Sequence, residues 1–419
     1  MQGYNEVMKK RTLEKTIRKA DRTFPSVVIT GPRQSGKTTL LKGIFSKSHD
    51  FVTLEDPDVR IRAKDDPRGF LAHHAPPVIL DEVQYVPELL SYIKTAIDED
   101  RSPGQWLLTG SQNFSLMQNV SQSLAGRTAV LSLLPFSYGE RIDRGDKLLS
   151  VKDWLTFLKR KNVAKRPNGK HSVDISTLIL RGNYPEIASN ARVDRMLWCA
   201  SYISTYLERD VRNLAHIGDL TQFEIFLKLC AMRTGQLLNL SSMARDIGIS
   251  VTTAKKWLSI LEAGYIIHLL YPYYKNIGKR LVKTPKLYFC DTALATYFLG
   301  LHEKGTLLNS PHFGSLFETY IINDVLKRFL HFGDLPSMYY LRTRDDLEID
   351  LIIELGGKIH LFEIKSTMTV TPKHITSLKK MKDELGDLVA GAYLIANTSR
   401  REYIGAGIQS LPFAEVLSI

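Results

Sequence analysis

Residues suited to chemistry appear first in a glycine-rich loop near the start of the chain, directly after the apolar run 27–30. Its glycines allow successive backbone N–H groups to turn inward, and the helix that follows would present its positive end, so the loop predicts phosphate binding. We expect Lys37 to reach the β and γ oxygens of ATP and the Thr38 hydroxyl to hold Mg²⁺. The residues predicted to surround the nucleotide are Gly31, Pro32, Arg33, Gln34, Ser35, Gly36, Lys37, Thr38 and Thr39.

Two adjacent carboxylates, Asp81 and Glu82, end a second apolar run at residues 77–80. Four apolar residues in a row indicate a buried parallel strand. Asp81 would hold Mg²⁺ through water, and Glu82 would polarise the water that attacks the γ-phosphate. An apolar run ending in acids can also be only a strand that meets solvent, but the preceding phosphate loop favours the catalytic interpretation.

A third apolar run, residues 105–110, leads to the small polar side chains Ser111 and Gln112. Either could sense the γ-phosphate, because an open parallel sheet presents ligand-binding groups at the carboxyl ends of its strands. Arg127 follows at a spacing that would let a ring ATPase place an arginine in the site of a neighbouring subunit. The alternative is an arginine that lies on the surface after a helix.

A separate set of acidic and basic residues lies on a predicted hairpin at residues 349–365, with Gly356 and Gly357 at its turn. Asp350 lies on the first strand, and Glu363 and Lys365 share one face of the second because strand side chains alternate. Such a set suits Mg²⁺-assisted phosphodiester hydrolysis. Asp350 and Glu363 would ligate Mg²⁺, or Mn²⁺ as the alternative ion, and Lys365 would orient the attacking water or steady the phosphate charge.

The order of the strands and helices expected to position these side chains indicates a multidomain α/β protein. Strands and helices alternate up to about residue 150 and would form the ATP-binding core at 1–150. Helical periodicity with a basic, Pro- and Gly-broken loop indicates a helical connector at 151–235. A winged helix-turn-helix is expected at 236–300, and an α/β domain that carries the hairpin at 301–419.

The helix-turn-helix prediction depends on two short helical patterns separated by a glycine turn at Gly248, followed by an apolar strand and a basic hairpin at 276–283. If this region binds duplex DNA, the second helix would lie in the major groove and the hairpin would touch the backbone. The alternative is a packing domain within an ATPase. The candidate contact residues are Ser250, Thr252, Thr253, Lys255, Lys256, Lys275, Lys279, Arg280 and Lys283.

The phosphate loop, the strand that ends in Asp81 and Glu82, and the strand that leads to Ser111 together resemble the AAA superfamily. More narrowly, they resemble a bacterial and archaeal family of ATPases joined to a C-terminal domain of unknown function. The resemblance spans nearly the whole chain and includes the phosphate loop and the segments 80–84, 108–111, 124–127, 182–186 and 206–211. It implies ATP binding and hydrolysis by a homo-oligomer, for which a hexameric ring is one arrangement.

The hairpin residues resemble the restriction-endonuclease-like nuclease core, whose pattern of Asp followed by Glu-x-Lys is matched by Asp350, Glu363 and Lys365. The acid on a helix in that family has a counterpart in Glu318. Glu-x-Lys alone is common on exposed strands, so the resemblance depends on all four residues in order. It implies a DNA endonuclease, although intact acids can also serve only to bind DNA or a metal.

Composition is that of a large globular protein: 419 residues, 44% of them apolar, with a formal net charge of +12. The positive charge favours polyanionic partners such as DNA. The three cysteines lack metal-ligand spacing and are expected to be buried thiols in a reducing compartment. No run reaches membrane-spanning length and no signal peptide is evident, so we expect a cytoplasmic protein without a membrane partner.

Three functional hypotheses remain open from the sequence. In the first, ATP hydrolysis moves or clamps duplex or branched DNA and the C-terminal domain cuts it, as in defence, recombination or repair. In the second, the protein is an ATP-driven DNA-binding switch or a remodeller of branched DNA that never cleaves. In the third, the ATPase acts on protein partners.

Overall fold

A computed structural model describes residues 9–111, 120, 123–160, 174–212, 219–273, 283–343, 345 and 347–419. The chain forms two compact units. The first comprises Met1–Phe136, Ala263–Tyr265 and Leu330–Asp334, and the second comprises Ser137–Glu262, Ile266–Phe329 and Leu335–Ile419. The first unit thus ends before the expected boundary at residue 150, and the expected boundaries at 235 and 300 do not separate compact units.

The first unit is built on a parallel sheet of five strands in the order β2-β3-β4-β1-β5. The strands are β1 (Ser26–Thr30), β2 (Asp50–Thr53), β3 (Val78–Asp81), β4 (Trp106–Thr109) and β5 (Thr128–Ser132). The helices are α1 (Leu13–Asp21), α2 (Lys37–Phe45), α3 (Pro57–Asp65), α4 (Pro67–His73) and α5 (Leu89–Glu99).

Apolar runs explain this sheet, because central parallel strands are covered on both faces. Every residue of β1, β3 and β4 is buried. Successive residues of β1 serve opposite faces: Val28 belongs to one hydrophobic core, whereas Val27 and Ile29 belong to the other. The sheet therefore holds the ends of β1, β3 and β4 rigidly, where the predicted nucleotide-binding residues follow.

The second unit begins with helices and contains a small sheet and a larger one. The α-helices that lie wholly or mainly in it are, in chain order, α6 (Tyr138–Arg141), α7 (Val151–Leu158), α8 (Ile175–Arg181), α9 (Pro185–Ser189), α10 (Arg195–Tyr206), α11 (Leu220–Met232), α12 (Leu240–Ile247), α13 (Val251–Ala263), α14 (Thr292–Phe298), α15 (Lys304–Leu308), α16 (Phe313–Phe332), α17 (Thr376–Leu385) and α18 (Phe413–Leu417). A π-helical segment, Leu207–Arg212, follows α10.

The predicted helix-turn-helix corresponds to α12 and α13, and Gly248 ends α12 in the left-handed conformation that favours glycine. Trp257 and Leu261 pack into the core, whereas Lys255 and Lys256 are exposed. A three-stranded sheet in the order β6-β8-β7 accompanies these helices, formed by β6 (Gln236–Leu237), β7 (Ile267–Leu270) and β8 (Lys286–Phe289). The winged-helix assignment stays a prediction, and Lys275, Lys279 and Arg280 lie outside the described residues.

A six-stranded sheet in the order β13-β14-β12-β11-β10-β9 forms the C-terminal part of the second unit. Its strands are β9 (Met338–Arg342), β10 (Glu348–Leu355), β11 (Lys358–Lys365), β12 (Val389–Ala396), β13 (Glu402–Gly405) and β14 (Ile408–Pro412). The predicted hairpin is β10 paired antiparallel with β11, and both Gly356 and Gly357 have positive φ at its turn. This register brings the start of β10 beside the end of β11.

One hydrophobic core runs through the second unit from Tyr138 to Ile419. Trp154 of α7 stacks on Phe362 of β11 with ring centroids 5.8 Å apart, and its indole N–H donates to the Val416 carbonyl at 2.8 Å. Helices of the expected connector therefore cover the C-terminal sheet. This shared core explains why the regions expected to be separate modules form one compact unit.

Candidate nucleotide and carboxylate sites

The glycine-rich loop between β1 and α2 has the form of a phosphate cradle. Gly31 has a φ of +143°, and a Cβ there would lie 2.2 Å from the Leu133 carbonyl oxygen, so only glycine fits. Lys37 is buried, and its Nζ donates to the carbonyls of Gly31 and Pro32 at 3.0 and 2.9 Å. The buried Ser35 hydroxyl has no hydrogen-bond partner among the described residues. The loop therefore fits a phosphate chain.

The remaining predicted loop residues lie at the rim of this cradle or at the start of α2. Pro32 is buried, Arg33 and Gly36 are half-buried, and Gln34 and Thr39 are exposed. Gly36 precedes α2 with a left-handed φ of 91°. Backbone N–H groups at the start of this helix therefore open toward the cradle, as phosphate binding requires.

Thr38 and Asp81, the two residues expected to hold Mg²⁺, meet at the end of β3. The Thr38 hydroxyl donates to both carboxylate oxygens of Asp81, at 2.9 and 3.1 Å. Thr109 Oγ1, at the end of β4, donates to Asp81 Oδ1 at 2.6 Å. Burial raises the pKa of Asp81, and the hydroxyls of Thr109 and Thr38 oppose that rise. A hydroxyl and a carboxylate in contact are suitable ligands for Mg²⁺.

The Glu82 carboxylate has different partners from the Asp81 carboxylate. It adopts a left-handed φ of 56°, and its Oε2 accepts a hydrogen bond from Ser111 Oγ at 3.1 Å and another from Gln84 Nε2. Its backbone N–H donates to Thr109 Oγ1 at 3.1 Å. Ser111 therefore contacts Glu82, a link that the sequence analysis missed, whereas Gln112 lies outside the described residues.

Arg127 forms an ion pair within its own unit. Its guanidinium makes two hydrogen bonds with the Asp98 carboxylate of α5, at 2.7 and 2.9 Å. This pairing lowers the pKa of Asp98. To reach the site of a neighbouring subunit, the Arg127 side chain would first have to break its ion pair with Asp98. The predicted role in trans stays a prediction.

The structure brings together the three residues predicted for the C-terminal site. Lys365 Nζ lies 2.6 Å from Glu363 Oε1 and 3.4 Å from Asp350 Oδ2. Asp350 Oδ2 also accepts from the Ile364 backbone N–H at 2.8 Å. The side chains of Glu363 and Lys365 thus share one face of β11, as alternation along a strand predicts.

Glu318 joins this site together with residues that the sequence analysis missed. Lys286 of β8 lies 3.1 Å from Glu318 Oε1 and 2.5 Å from Glu348 Oε1. Tyr288 donates to Glu318 Oε1 at 2.5 Å, and Arg342 contacts Glu348 Oε2 at 3.2 Å. The one sequence signal for Lys286 was a lysine in an otherwise apolar strand. We call Lys286, Glu318, Glu348, Asp350, Glu363 and Lys365 the carboxylate cluster.

Burial shapes the electrostatics of the carboxylate cluster. Desolvation, followed by the negative charge of Asp350, raises the pKa of Glu363 to about 8. Desolvation also raises the pKa of Glu318, which Lys286 opposes. The second Glu363 oxygen, Oε2, is buried and has no hydrogen-bond partner among the described residues. The unpartnered Glu363 oxygen and the negative charge of Asp350 beside it favour the approach of a cation.

The cluster fits Mg²⁺ through two carboxylates rather than through a closed cage. In the described part of the chain, no group of three or more His, Cys, Asp or Glu side chains is arranged to hold a metal ion. Mg²⁺ is commonly bound by one or two carboxylates, with water and substrate phosphate as its other ligands. Asp350 and Glu363 could supply those two carboxylates.

The raised pKa of Glu363 predicts how stability depends on pH. The folded protein holds this proton more tightly than the unfolded chain does, so ionisation of Glu363 destabilises the fold. The metal-free protein should therefore lose stability as pH rises from about 4.5 to about 8. Glu363→Gln should flatten this decline when melting temperature is measured in EDTA at several pH values. Asp383→Asn, on the exposed side of α17, is the control, and an unchanged decline in Glu363→Gln would contradict the assignment.

Comparison with protein families agrees with the geometry of the first unit. Residues 23–142 match the family described as the AAA domain. This unit is a AAA-type P-loop ATPase domain. After the AAA domain, residues 172–305 and 313–416 match two domains of unknown function, DUF8612 and DUF4143. The carboxylate cluster draws residues from both of these matched segments.

Two sequence relatives match more of the chain than the AAA domain alone. Uncharacterized proteins of Mycobacterium tuberculosis and Mycobacterium bovis are each 29% identical over 365 residues, which cover 87% of this chain and 75% of theirs. The Walker-type ATPase of Pyrococcus abyssi is 14% identical with a TM-score of 0.44, covering 70% of this chain and 97% of its own. A RuvB protein of Thermotoga maritima is 16% identical with a TM-score of 0.28, covering 61% and 85%.

None of the helices in the described ranges has the length and apolarity needed to cross a bilayer. All three cysteines, Cys199, Cys230 and Cys290, are buried free thiols, as the sequence predicted. Burial raises the pKa of each thiol.

Proposed function

We propose that this AAA ATPase hydrolyses ATP to act on DNA and that its C-terminal region processes DNA with the help of Mg²⁺. The single observation that carries the second half is the contact of both Asp350 and Glu363 with one lysine, Lys365. Two carboxylates and an ammonium, placed where β10 begins and β11 ends, match the requirements of metal-assisted phosphodiester hydrolysis. Defence, recombination and repair are the processes that such an activity would serve.

In the ATP part of this proposal, different residues in and around the cradle have different roles in ATP hydrolysis. Lys37 offsets negative charge on the β and γ phosphates, and Thr38 with Asp81 would hold Mg²⁺, which supplies further charge neutralisation when bound. Glu82, fixed by Ser111, polarises the attacking water. Separate hydrogen-bond partners for Asp81 and Glu82 support separate roles for the two acids.

In the DNA half, Asp350 and Glu363 would hold the divalent ion, with Mn²⁺ as the alternative to Mg²⁺. The ion would polarise the scissile phosphate. Lys365 orients water or offsets charge on the phosphate. Its side chain is 38% exposed, so it can change partners when an anionic substrate approaches.

Association with DNA is supported by charge and by exposed basic residues. The net charge of +12 favours a polyanion. Lys255 and Lys256 are exposed on α13, the second helix of the helix-turn-helix, and Thr252 lies beside them. In duplex binding, such residues would contact phosphates or base edges from the major groove.

The second candidate function is an ATP-driven DNA-binding switch or branched-DNA remodeller that does not cleave. A specific observation favours it: basic side chains already contact all four carboxylates of the cluster. Such a site could take part in DNA binding without metal-dependent cleavage. Action on protein partners remains a third hypothesis, to be considered if DNA is not bound.

Cleavage of labelled linear, forked and four-way DNA in Mg²⁺ or Mn²⁺, with and without ATP, tests the proposal. Cutting that disappears in Asp350→Ala would support a nuclease, and its loss in Lys37→Ala would show that ATP controls it. ATP turnover and DNA binding without cutting would favour the switch. Absence of DNA binding in every condition would contradict both DNA hypotheses.

We also propose a homo-oligomer in which Arg127 completes the site of a neighbouring subunit, with a hexameric ring as one arrangement. Arg127→Ala should then lower ATP turnover by about 10³-fold, at the lower end of the effect of arginine fingers. Sedimentation velocity and steady-state turnover would be measured on the same preparation. Arg101→Ala is the matched control, because Arg101 also contacts Asp98, at 3.4 Å. Full assembly together with full turnover in Arg127→Ala would contradict the role.

A further inference from the structure

Lys286 is a buried lysine inside the carboxylate cluster. Its side chain is only 2% exposed, and it lies on β8, in the sheet that accompanies the helix-turn-helix. Burial of an unpaired ammonium would be costly, so its contacts must compensate the lost hydration. Those contacts are Glu348 at 2.5 Å and Glu318 at 3.1 Å, while Asp350 Oδ1 lies farther away at 3.8 Å.

The four carboxylates fall into two pairs according to what holds them. Glu318 accepts from Lys286 and Tyr288, and Glu348 is contacted by Lys286 and Arg342. In the other pair, Asp350 and Glu363 both contact Lys365. The first pair thus depends on a fully buried ammonium, and the second depends on one that is partly exposed.

The two lysines differ in whether their ammonium groups can move out of the carboxylate cluster. Lys365 can move its ammonium into water on a flexible stem, because more than a third of its side chain is exposed. Lys286 has no such exit without repacking of the residues around it. A divalent cation that enters the cluster can therefore replace Lys365 as the partner of Asp350 and Glu363, but it cannot replace Lys286.

We propose that Lys286 is a fixed internal cation that withholds Glu318 and Glu348 from the divalent ion and leaves Asp350 and Glu363 as the pair that binds it. This inference rests on the proposed metal-dependent function of the same site. It makes Lys286 a positioning residue that determines which carboxylates become ligands. The site is therefore incomplete without β8, which precedes the C-terminal sheet in the chain.

Binding of Mn²⁺ to the nucleotide-free full-length protein tests the inference, with electron paramagnetic resonance as the readout and Asp350→Asn to identify the site. In the wild type, Glu348→Gln should change the Kd for Mn²⁺ by less than about twofold, because Glu348 is not a ligand. In Lys286→Met, Glu318 and Glu348 lose the ammonium that holds them and can turn toward the ion, so the Kd should fall by about tenfold or more. Glu348→Gln should then weaken Mn²⁺ binding in the Lys286→Met background.

Two controls separate charge from packing. Lys286→Arg keeps the positive charge and should bind Mn²⁺ as the wild type does, and Lys358→Met removes an exposed lysine from β11 and should change nothing. An unchanged Kd in folded Lys286→Met would overturn the inference. So would loss of Mn²⁺ binding in Lys286→Met that Lys286→Arg restores, because Lys286 would then support the ion rather than withhold ligands from it.

If Lys286→Met does not fold, Lys286→Met with Glu318→Gln and Glu348→Gln removes the surplus negative charge together with the lysine. This triple variant should fold and bind Mn²⁺ with wild-type affinity through Asp350 and Glu363. A folded triple variant without Mn²⁺ binding would overturn the inference.

Failure of the proposed function can be recognised separately. If the wild type neither binds Mn²⁺ at Asp350 nor cuts DNA, the metal-dependent function is wrong. Melting temperatures in EDTA then test the fixed cation alone: Glu348→Gln should stabilise Lys286→Met but not the wild type. Equal effects of Glu348→Gln in both backgrounds would show that Lys286 does not neutralise Glu348.

Discussion

Glu82→Gln is expected to lower ATP turnover by about 10² to 10⁴-fold, the range for loss of a general base, while ATP binding is retained. The amide keeps the size of the side chain and can still contact Ser111, which lies 3.1 Å from Glu82 Oε2. It cannot accept a proton from water at neutral pH. The variant should therefore hold ATP in a stalled state.

Turnover and affinity must be measured separately for this variant. Phosphate release gives turnover, and fluorescence of a labelled ATP analogue gives affinity. Glu88→Gln is a matched control, because it makes the same chemical change at an exposed acid that directly precedes α5. Turnover by Glu82→Gln at the wild-type rate would show that another group activates the water.

Asp350→Asn is expected to reduce any metal-dependent DNA cleavage by about 10³-fold or more, because loss of a metal ligand removes several kcal/mol of transition-state stabilisation. The change preserves shape, so the hydrogen bond from the Ile364 N–H to Oδ2 can be kept by the amide oxygen. DNA affinity should change little by comparison. Gel-based cleavage and fluorescence anisotropy on the same DNA would measure the two quantities.

Asp387→Asn, an exposed acid near β12, is the control for this experiment. If wild-type protein binds DNA but does not cut it, and Asp350→Asn changes only affinity, the non-cleaving switch is the better description. Equal cleavage by wild type and Asp350→Asn would instead indicate a contaminating nuclease or a different active site.

Local patterns were sufficient to select the candidate residues of the ATP site. The phosphate loop and the Asp81-Glu82 pair each depend on a few consecutive residues and on the strand or helix that adjoins them. The structure has strands at the expected positions, and it brings Thr38 into contact with Asp81. The family match to residues 23–142 confirms the AAA-type ATPase. The roles of the individual residues stay predictions.

Long-range partners could not be predicted in the same way. Lys286 meets Glu318 and Glu348 only because β8, α16 and β10 converge in the folded chain. A lysine between apolar residues indicates that some partner exists but not which one. The same reason applies to Arg127, whose pairing with Asp98 depends on how α5 packs beside the start of β5.

The division of the chain into two compact units could not be predicted from local pattern, because it depends on shared packing. The helical spacing of apolar residues around Trp154 is visible in the sequence, but the stacking of Trp154 on Phe362 is not. Periodicity indicates that a helix has an apolar face, and leaves open which element covers it.

The continuous core of the second unit limits how the protein can be divided. A fragment that began near residue 301 would lose Trp154 from the face of β11 and would expose apolar surface that water then covers. Such a fragment should aggregate or melt without a sharp calorimetric transition, whereas residues 137–419 should unfold together. In evolution, these segments would have to be inherited jointly, because recombination at their borders would separate the two sides of one hydrophobic core.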